Sequence, residues 1–291
     1  MELQIKNLNK IYDNGHQALK DVNLIIQEGM FGLLGPNGAG KSTLMRILVT
    51  LQEPGAGDVT IDGYSLSQHR REIRQMIGYL PQDFRFFPKL KAREFLDYAA
   101  SLAGIRSKKD RRMEVDRLLE QVGLLDAHDR YANKLSGGMK RRLGIAQALI
   151  GNPRLLIVDE PTTGLDPEER IRFRNILSNL SQQGVIIILS THIVADISST
   201  CRSMALLDNG MVKYQGRPDD FIAQSRGLVW RAAVGFDELK SLKEQFPVIT
   251  TIPSVEGYEV ELIARQKPLQ NAENIDPGLE HAYVCFMENN V

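Results

Sequence analysis

Gly35, Pro36, Asn37, Gly38, Ala39, Gly40, Lys41, Ser42 and Thr43 have the types and spacing of a loop that holds phosphate. Glycines let the backbone curl until successive N–H groups converge on an anion. A helix starting at Ser42 would add its positive dipole end at the same point. Lys41 is placed to reach β- and γ-phosphates, and the Ser42 hydroxyl to ligate Mg²⁺. A second constellation lies downstream, where the apolar run Leu155-Leu-Ile-Val ends in Asp159 and Glu160. Strand side chains alternate faces, so the two carboxylates should point different ways and take different roles. Asp159 would bind Mg²⁺, directly or through water, and Glu160 would polarise an attacking water. Such a pair in isolation is more often a strand-end acidic turn. Downstream of a phosphate loop it reads as chemistry.

These groups need a scaffold. Short apolar runs at Met30–Leu34, Met76–Leu80, Leu155–Val158 and Val185–Leu189 read as strands. Glu114–Val122 and Glu168–Leu180 have helical spacing. Strands alternating with helices predict an α/β fold with a parallel sheet covered on both faces, and runs such as LLIV and VIIIL suit doubly buried strands. Residues 84–150 read as an inserted helical subdomain. Beyond about Gly216 the character changes. Leu228–Val234 reads as a strand and Asp237–Phe246 as a helix. Weaker strands follow at Val248–Ile252 and Gly257–Ile263, then a last helix from Asp276 with Pro277 at its first position. The division expected is a domain over 1–217 and a small α+β appendage over 218–291.

Composition narrows the partners. The chain has 291 residues, 43% hydrophobic and 25% charged, enough for a sizeable core. Lys plus Arg and Asp plus Glu both number 36, so no basic excess argues for nucleic acid, and none is expected as a partner. Two cysteines far apart, Cys201 and Cys285, have no metal-ligand spacing and read as thiols of a reducing cytosol. The polar start fits no signal peptide, and no apolar run approaches the ~20 residues that span a bilayer. A soluble chain is expected, with any membrane connection made through a partner.

The motifs taken in order resemble the nucleotide-binding domain of ABC transporters, over roughly Met1 to Arg217. Leu135-Ser-Gly-Gly-Met139 resembles the family signature, Gln82 the Q-loop glutamine, Gly164-Leu-Asp166 the D-loop and His192 the switch histidine. Tyr12 sits where the family places an aromatic that stacks on adenine. The resemblance implies a P-loop NTPase of ABC type, with a parallel-sheet core, an antiparallel β subdomain and an inserted helical subdomain. It implies ATP and Mg²⁺ as cofactors, with Gln82 as a further Mg²⁺ ligand and Lys41, Glu160 and His192 acting in hydrolysis. It also implies a head-to-tail dimer, homomeric or heteromeric. Ser136, Gly137 and Gly138 of one subunit would meet the ATP of the other, with Asp166 at the junction.

A transmembrane permease is implied as partner, docking near residues 82–105 and placing the chain on the inner face of the cell membrane. Asp83-Phe-Arg-Phe-Phe-Pro88 is the segment expected to receive it, although Phe84, Phe86 and Phe87 packing into the helical subdomain is an equal alternative. Met139 departs from the commoner glutamine, and LSGGM resembles one exporter-like branch. Pro277-Gly-Leu-Glu-His-Ala-Tyr283 is similar to the ending of ATPases that serve ABC-2-type exporters of drugs or peptide antibiotics. An importer ATPase, or a soluble ABC ATPase acting on nucleic acid or ribosomes, remains the alternative. Lys140-Arg141-Arg142 reads as a solvated helix face.

Overall fold

The computed structural model describes residues 1–87 and 89–288; Pro88, part of the segment expected to dock a permease, lies outside the described residues. The chain divides into two compact units, residues 1–196 with 200–215, and residues 197–199 with 216 onward.

The first unit opens with β1 (Leu3–Ile11), β2 (Gln17–Ile26) and β3 (Met30–Leu34), then α1 (Lys41–Leu48), β4 (Ala56–Ile61) and β5 (Tyr64–Ser65). Next come α2 (Arg70–Met76), β6 (Ile77–Leu80), α3 (Ala92–Leu102), α4 (Lys108–Gln121) and α5 (Gly137–Ala148). It closes with β7 (Leu155–Asp159), α6 (Pro167–Gln182), β8 (Ile186–Thr191), α7 (Val194–Ser198), β9 (Ser203–Asp208) and β10 (Met211–Gly216). Two sheets result. One is antiparallel, in the order β2-β1-β4-β5. The other runs β10-β9-β3-β8-β7-β6, and its neighbours from β9 to β6 are parallel.

Burial explains which residues make the parallel strands. Every residue of β3, β7 and β8 is buried, as strands covered on both faces require. Leu44, Met45, Ile47 and Leu48 of α1 share one core with Leu3, Ile5 and Leu24 of the antiparallel sheet and with Phe31, Ile157 and Ile188 of the parallel one. Register then sets the site. Leu34 pairs with Thr191, and Asp159 with Ser190, so β3, β7 and β8 end at one level. Loops leaving that carboxyl edge converge, which is where open α/β sheets bind ligands.

The basic triplet after the signature is not a solvated face. Arg142 is 4% exposed. Its Nη1 donates to the carbonyls of Val122 and Gly123, and its Nε lies 3.3 Å from Glu169 Oε2. Arg141 Nη1 donates to the carbonyls of Gln82 (2.6 Å) and Pro81 (3.2 Å), so α5 grips the segment after β6. Gly138 leaves room for the same carboxylate, because a Cβ there would lie 2.1 Å from Glu169 Oε2.

The second unit holds α8 (Pro218–Ala223), β11 (Val229–Val234), α9 (Glu238–Gln245), β12 (Val248–Ser254), β13 (Gly257–Ile263), β14 (Glu273–Asn274) and α10 (Leu279–Met287). Its sheet is antiparallel, in the order β12-β13-β11-β14. Alternation along β11 sends Ala232 and Val234 toward Leu242 of α9, and Val229 toward Cys285 of α10. The last helix starts at Leu279, two residues after Pro277, and not at Asp276. Gly278 is extended (φ −98°, ψ 179°), and its N–H donates to His281 Nδ1 in place of a proline start.

Arg142→Met should destabilise the protein by about 3 kcal/mol, because it leaves Glu169 and two carbonyls without their buried partner. Urea unfolding with an unchanged m-value would measure this. A loss below about 1 kcal/mol would mean that Arg142 is not structural.

Candidate nucleotide site

The loop after β3 is shaped by glycine. Gly40 has φ +104°, and a Cβ there would lie 2.4 Å from the Ala18 carbonyl oxygen. A hairpin supports the loop from behind. Asn209 and Gly210, both with positive φ, form the two-residue turn between β9 and β10. Gly210 N–H donates to the Ala39 carbonyl, and the Gly210 carbonyl accepts from Lys20 N–H.

Lys41 is 6% exposed and folds back on its own loop. Its Nζ donates to the carbonyls of Gly35 (2.7 Å) and Pro36 (3.1 Å) and lies 3.6 Å from Glu160 Oε1. Burial lowers its pKa, and Glu160 and Asp159 oppose that shift. Glu160 stands just past the end of β7 with φ +48°, and its N–H donates to the Ser190 carbonyl. The two carboxylates are therefore separated by a left-handed turn at Glu160, not by continued strand alternation. Glu160 Oε2 accepts from Thr163 Oγ1 (3.1 Å) and lies 2.7 Å from His192 Nδ1.

Asp159 is 3% exposed, and its Oδ1 has no hydrogen-bond partner. Burial raises its pKa above the ordinary carboxylate range, with a smaller push from Glu160; the nearby hydroxyls of Ser190 and Ser42 and the charge of Lys41 oppose it. Burial, with a smaller push from the same carboxylate, takes Tyr79 up to about 12. Ser42, Gln82 and Asp159 line one cavity of about 440 Å³. An orphaned carboxylate oxygen beside a hydroxyl and an amide is a donor set of hard oxygens, and it fits Mg²⁺. Among the described residues no cluster of three or more His, Cys, Asp or Glu stands ready for a metal. Mg²⁺ needs none when one carboxylate and the substrate's phosphates share it.

The adjoining cavity, about 370 Å³, brings together Tyr12, Asn37, Gly38, Ala39, Gly40, Lys41, Ser42, Thr43, Gln82, Glu160 and His192. The Tyr12 hydroxyl is 3.0 Å from Thr43 Oγ1 and donates to Gln52. Sequence reasoning missed His16 and Thr163, which line the same space. His16 is signalled only by its place across the β1–β2 turn, where Tyr12 N–H donates to its carbonyl. Thr163 is signalled by following Glu160 by one turn.

Other residues singled out in the sequence are not in this cavity. Ser136 Oγ caps α5 by accepting from Met139 N–H, Gly137 is exposed and Gly138 is buried against Glu169. Asp166 Oδ1 caps α6 by accepting from Glu169 N–H. The three phenylalanines divide. Phe84 and Phe86 turn onto Phe95 of α3, while Phe87 stands 56% exposed with its edge on Tyr98.

Comparison with known proteins identifies the family. Residues 19–163 match the family described as ABC transporter. The chain is 34% identical over 265 residues to the Nod factor export ATP-binding protein I of Cupriavidus metallidurans, covering 91% of this chain and 86% of that protein. It is 35% identical over 250 residues to a methionine import ATP-binding protein of Streptococcus agalactiae, covering 81% and 70%. Among solved structures, a dimeric ATP-binding cassette in a post-hydrolysis state, bound to ADP and Pi, superposes with a TM-score of 0.68 at 30% identity, covering 74% of this chain and 98% of that one.

Two outcomes follow from the site's geometry. Tyr12→Ala should weaken binding of a fluorescent ATP analogue about tenfold, and Tyr12→Phe less than threefold, if the ring stacks on the base; equal affinity in Tyr12→Ala would refute stacking. Asp159→Asn should raise the melting temperature of the nucleotide-free protein at pH 8. A carboxylate whose folded pKa is raised costs stability once pH exceeds its unfolded pKa, so the gain should shrink as pH falls toward the carboxylate range. Thermal melts from pH 5 to 8 would test the sign.

Proposed function

We propose that this chain, which belongs to the ABC transporter family and hydrolyses ATP, drives an ABC-2-type exporter through a transmembrane partner. The observation that carries the dimeric part of this reading is a separation. The phosphate loop and the signature end of α5 lie in one unit, yet Ser136, Gly137 and Gly138 do not line the phosphate-loop cavity. Each ATP would therefore lie between the loop of one subunit and the signature of another. A γ-phosphate held from both sides links two subunits only while it exists, so hydrolysis becomes a change of assembly. Asp166 would lie at that junction.

Within each site Glu160 polarises the attacking water, and His192 orients Glu160 while its other ring nitrogen serves the γ-phosphate. Lys41 exchanges the carbonyls of Gly35 and Pro36 for phosphate oxygens, which releases Glu160 Oε1 toward the water. Backbone N–H groups of Gly38, Ala39 and Gly40 complete the cradle. Mg²⁺, held by Asp159, Ser42 and Gln82, would neutralise charge on the β- and γ-phosphates.

The export direction draws support from LSGGM and from the Pro277–Tyr283 motif, and from a relative named for export, although another is named for import. No helix among the described residues is long and apolar enough to cross a membrane, and the pathway in this reading belongs to the permease partner. Phe87, exposed and edge-on to Tyr98, is the docking residue we favour in the 82–105 segment; Phe84 and Phe86 are engaged with Phe95. The protein would thus sit on the inner face of the cell membrane.

Glu160→Gln should bind ATP normally and lose turnover by about 10²-fold or more. Near-normal hydrolysis would remove Glu160 from its role. With membranes carrying a candidate ABC-2-type permease, a photocrosslinker at Phe87 should give an adduct. Labelling only from position 84 or 86 would reverse the assignment of the docking face.

A further inference from the structure

We propose that Asp196 is a positioning residue for ATP hydrolysis: it locks, from behind the site, the two chain segments that aim the Glu160 carboxylate. The inference rests on the reading of Glu160 as the group that polarises water.

Asp196 lies in α7 and is fully buried. Its Oδ2 accepts from Thr162 Oγ1 and lies 3.5 Å from Thr191 Oγ1. These threonines, 1% and 0% exposed, belong to different segments. Thr162 follows Glu160 by two residues, and Thr191 ends β8. One residue further along each segment, a side chain reaches the same carboxylate oxygen. Thr163 Oγ1 donates to Glu160 Oε2 at 3.1 Å, and His192 Nδ1 lies 2.7 Å from it. Asp196 therefore joins, through one oxygen, the two supports of Glu160 Oε2.

The hydrogen bonds fix directions as well as places. Ile193 N–H donates to Thr191 Oγ1, which leaves the single proton of that hydroxyl free to point at Asp196. The main chain of Asp196 is held too: its N–H donates to the Ile193 carbonyl, and its carbonyl accepts from the Thr200 hydroxyl. Its remaining oxygen, Oδ1, is buried without a partner. Burying a carboxylate this way is unfavourable, and an apolar residue of similar volume would serve packing better. Departures from such rules concentrate at functional sites. A rotation of either segment by one rotamer well would take Thr163 or His192 off Glu160, and a misplaced general base loses rate without losing substrate affinity.

Steady-state ATPase assays on the full chain, with affinity from a fluorescent nucleotide, test this. Asp196→Asn keeps the shape and removes the charge. It should lower kcat about tenfold and leave nucleotide affinity within about twofold. Thr162→Val and Thr191→Val, which remove only the hydroxyls, should do the same, and Thr162→Ser and Thr191→Ser should restore turnover. The losses from Asp196→Asn and His192→Ala should be less than multiplicative when combined, because both act through Glu160. Turnover within about twofold of the parent in Asp196→Asn and both valine variants overturns the proposal. Fully multiplicative losses, or a fall in rate traced to weaker ATP binding, do the same. If Asp196→Asn does not fold, the threonine pairs decide. A Glu160→Gln control separates the two readings. Near-normal turnover there sinks the role of Glu160, whereas an inactive Glu160→Gln beside active Asp196 and threonine variants sinks only this inference.

Discussion

Lys41, Asp159 and Glu160, each more than nine-tenths shielded from water, share the carboxyl edge of the parallel sheet. One cation faces two carboxylates, and only Glu160 lies within ion-pairing distance of it. The rest of the unit makes this tolerable. The register of β3, β7 and β8 brings the charges together, and α1 closes the core beneath them. Lys41 is satisfied by carbonyls and Glu160 by Thr163 and His192, but Asp159 retains an oxygen with no partner. The site is thus an arrangement of charges held short of balance, and a polyphosphate with a divalent cation is the species that would balance it.

The same logic extends to the signature. Glu169 faces Arg142 and packs against Gly138, and its N–H is capped by Asp166. Arg141, one position before Arg142, holds the Gln82 and Pro81 carbonyls. One helix therefore touches the start of α6 through Arg142 and the segment after β6 through Arg141. Displacement of α5 would be felt at Gln82 through the Arg141 side chain and its hydrogen bond of 2.6 Å.

Features set by neighbours in the chain were legible without coordinates. The glycine-shaped loop after β3, the buried runs of β3, β7 and β8 and the acidic pair at the end of β7 rest on local pattern and glycine chemistry. Features set by distant partners were not. Arg142 looks like one more charge on a helix until the carbonyls of Val122 and Gly123 are placed beside it. Phe86 and Phe87 are adjacent in sequence and differ because only one of them finds Phe95. The separation of Asp159 from Glu160 was expected from strand alternation, but a left-handed residue produces it. No periodicity argument reports that. Asp196 carries no motif at all and acquires meaning only from the two threonines packed on it.

The hairpin tip behind the phosphate loop has a thermodynamic corollary. Ala39 is tied to Gly210, and Gly210 in turn to Lys20. Loop backbone that would otherwise wander is thus ordered when the sheet forms, before nucleotide arrives. Fixing a residue's backbone costs roughly 1–2 kcal/mol, so a loop of this length left floppy would consume much of its affinity in becoming rigid. Here that entropy is surrendered during folding, and an anion arriving at the loop would meet a backbone already ordered.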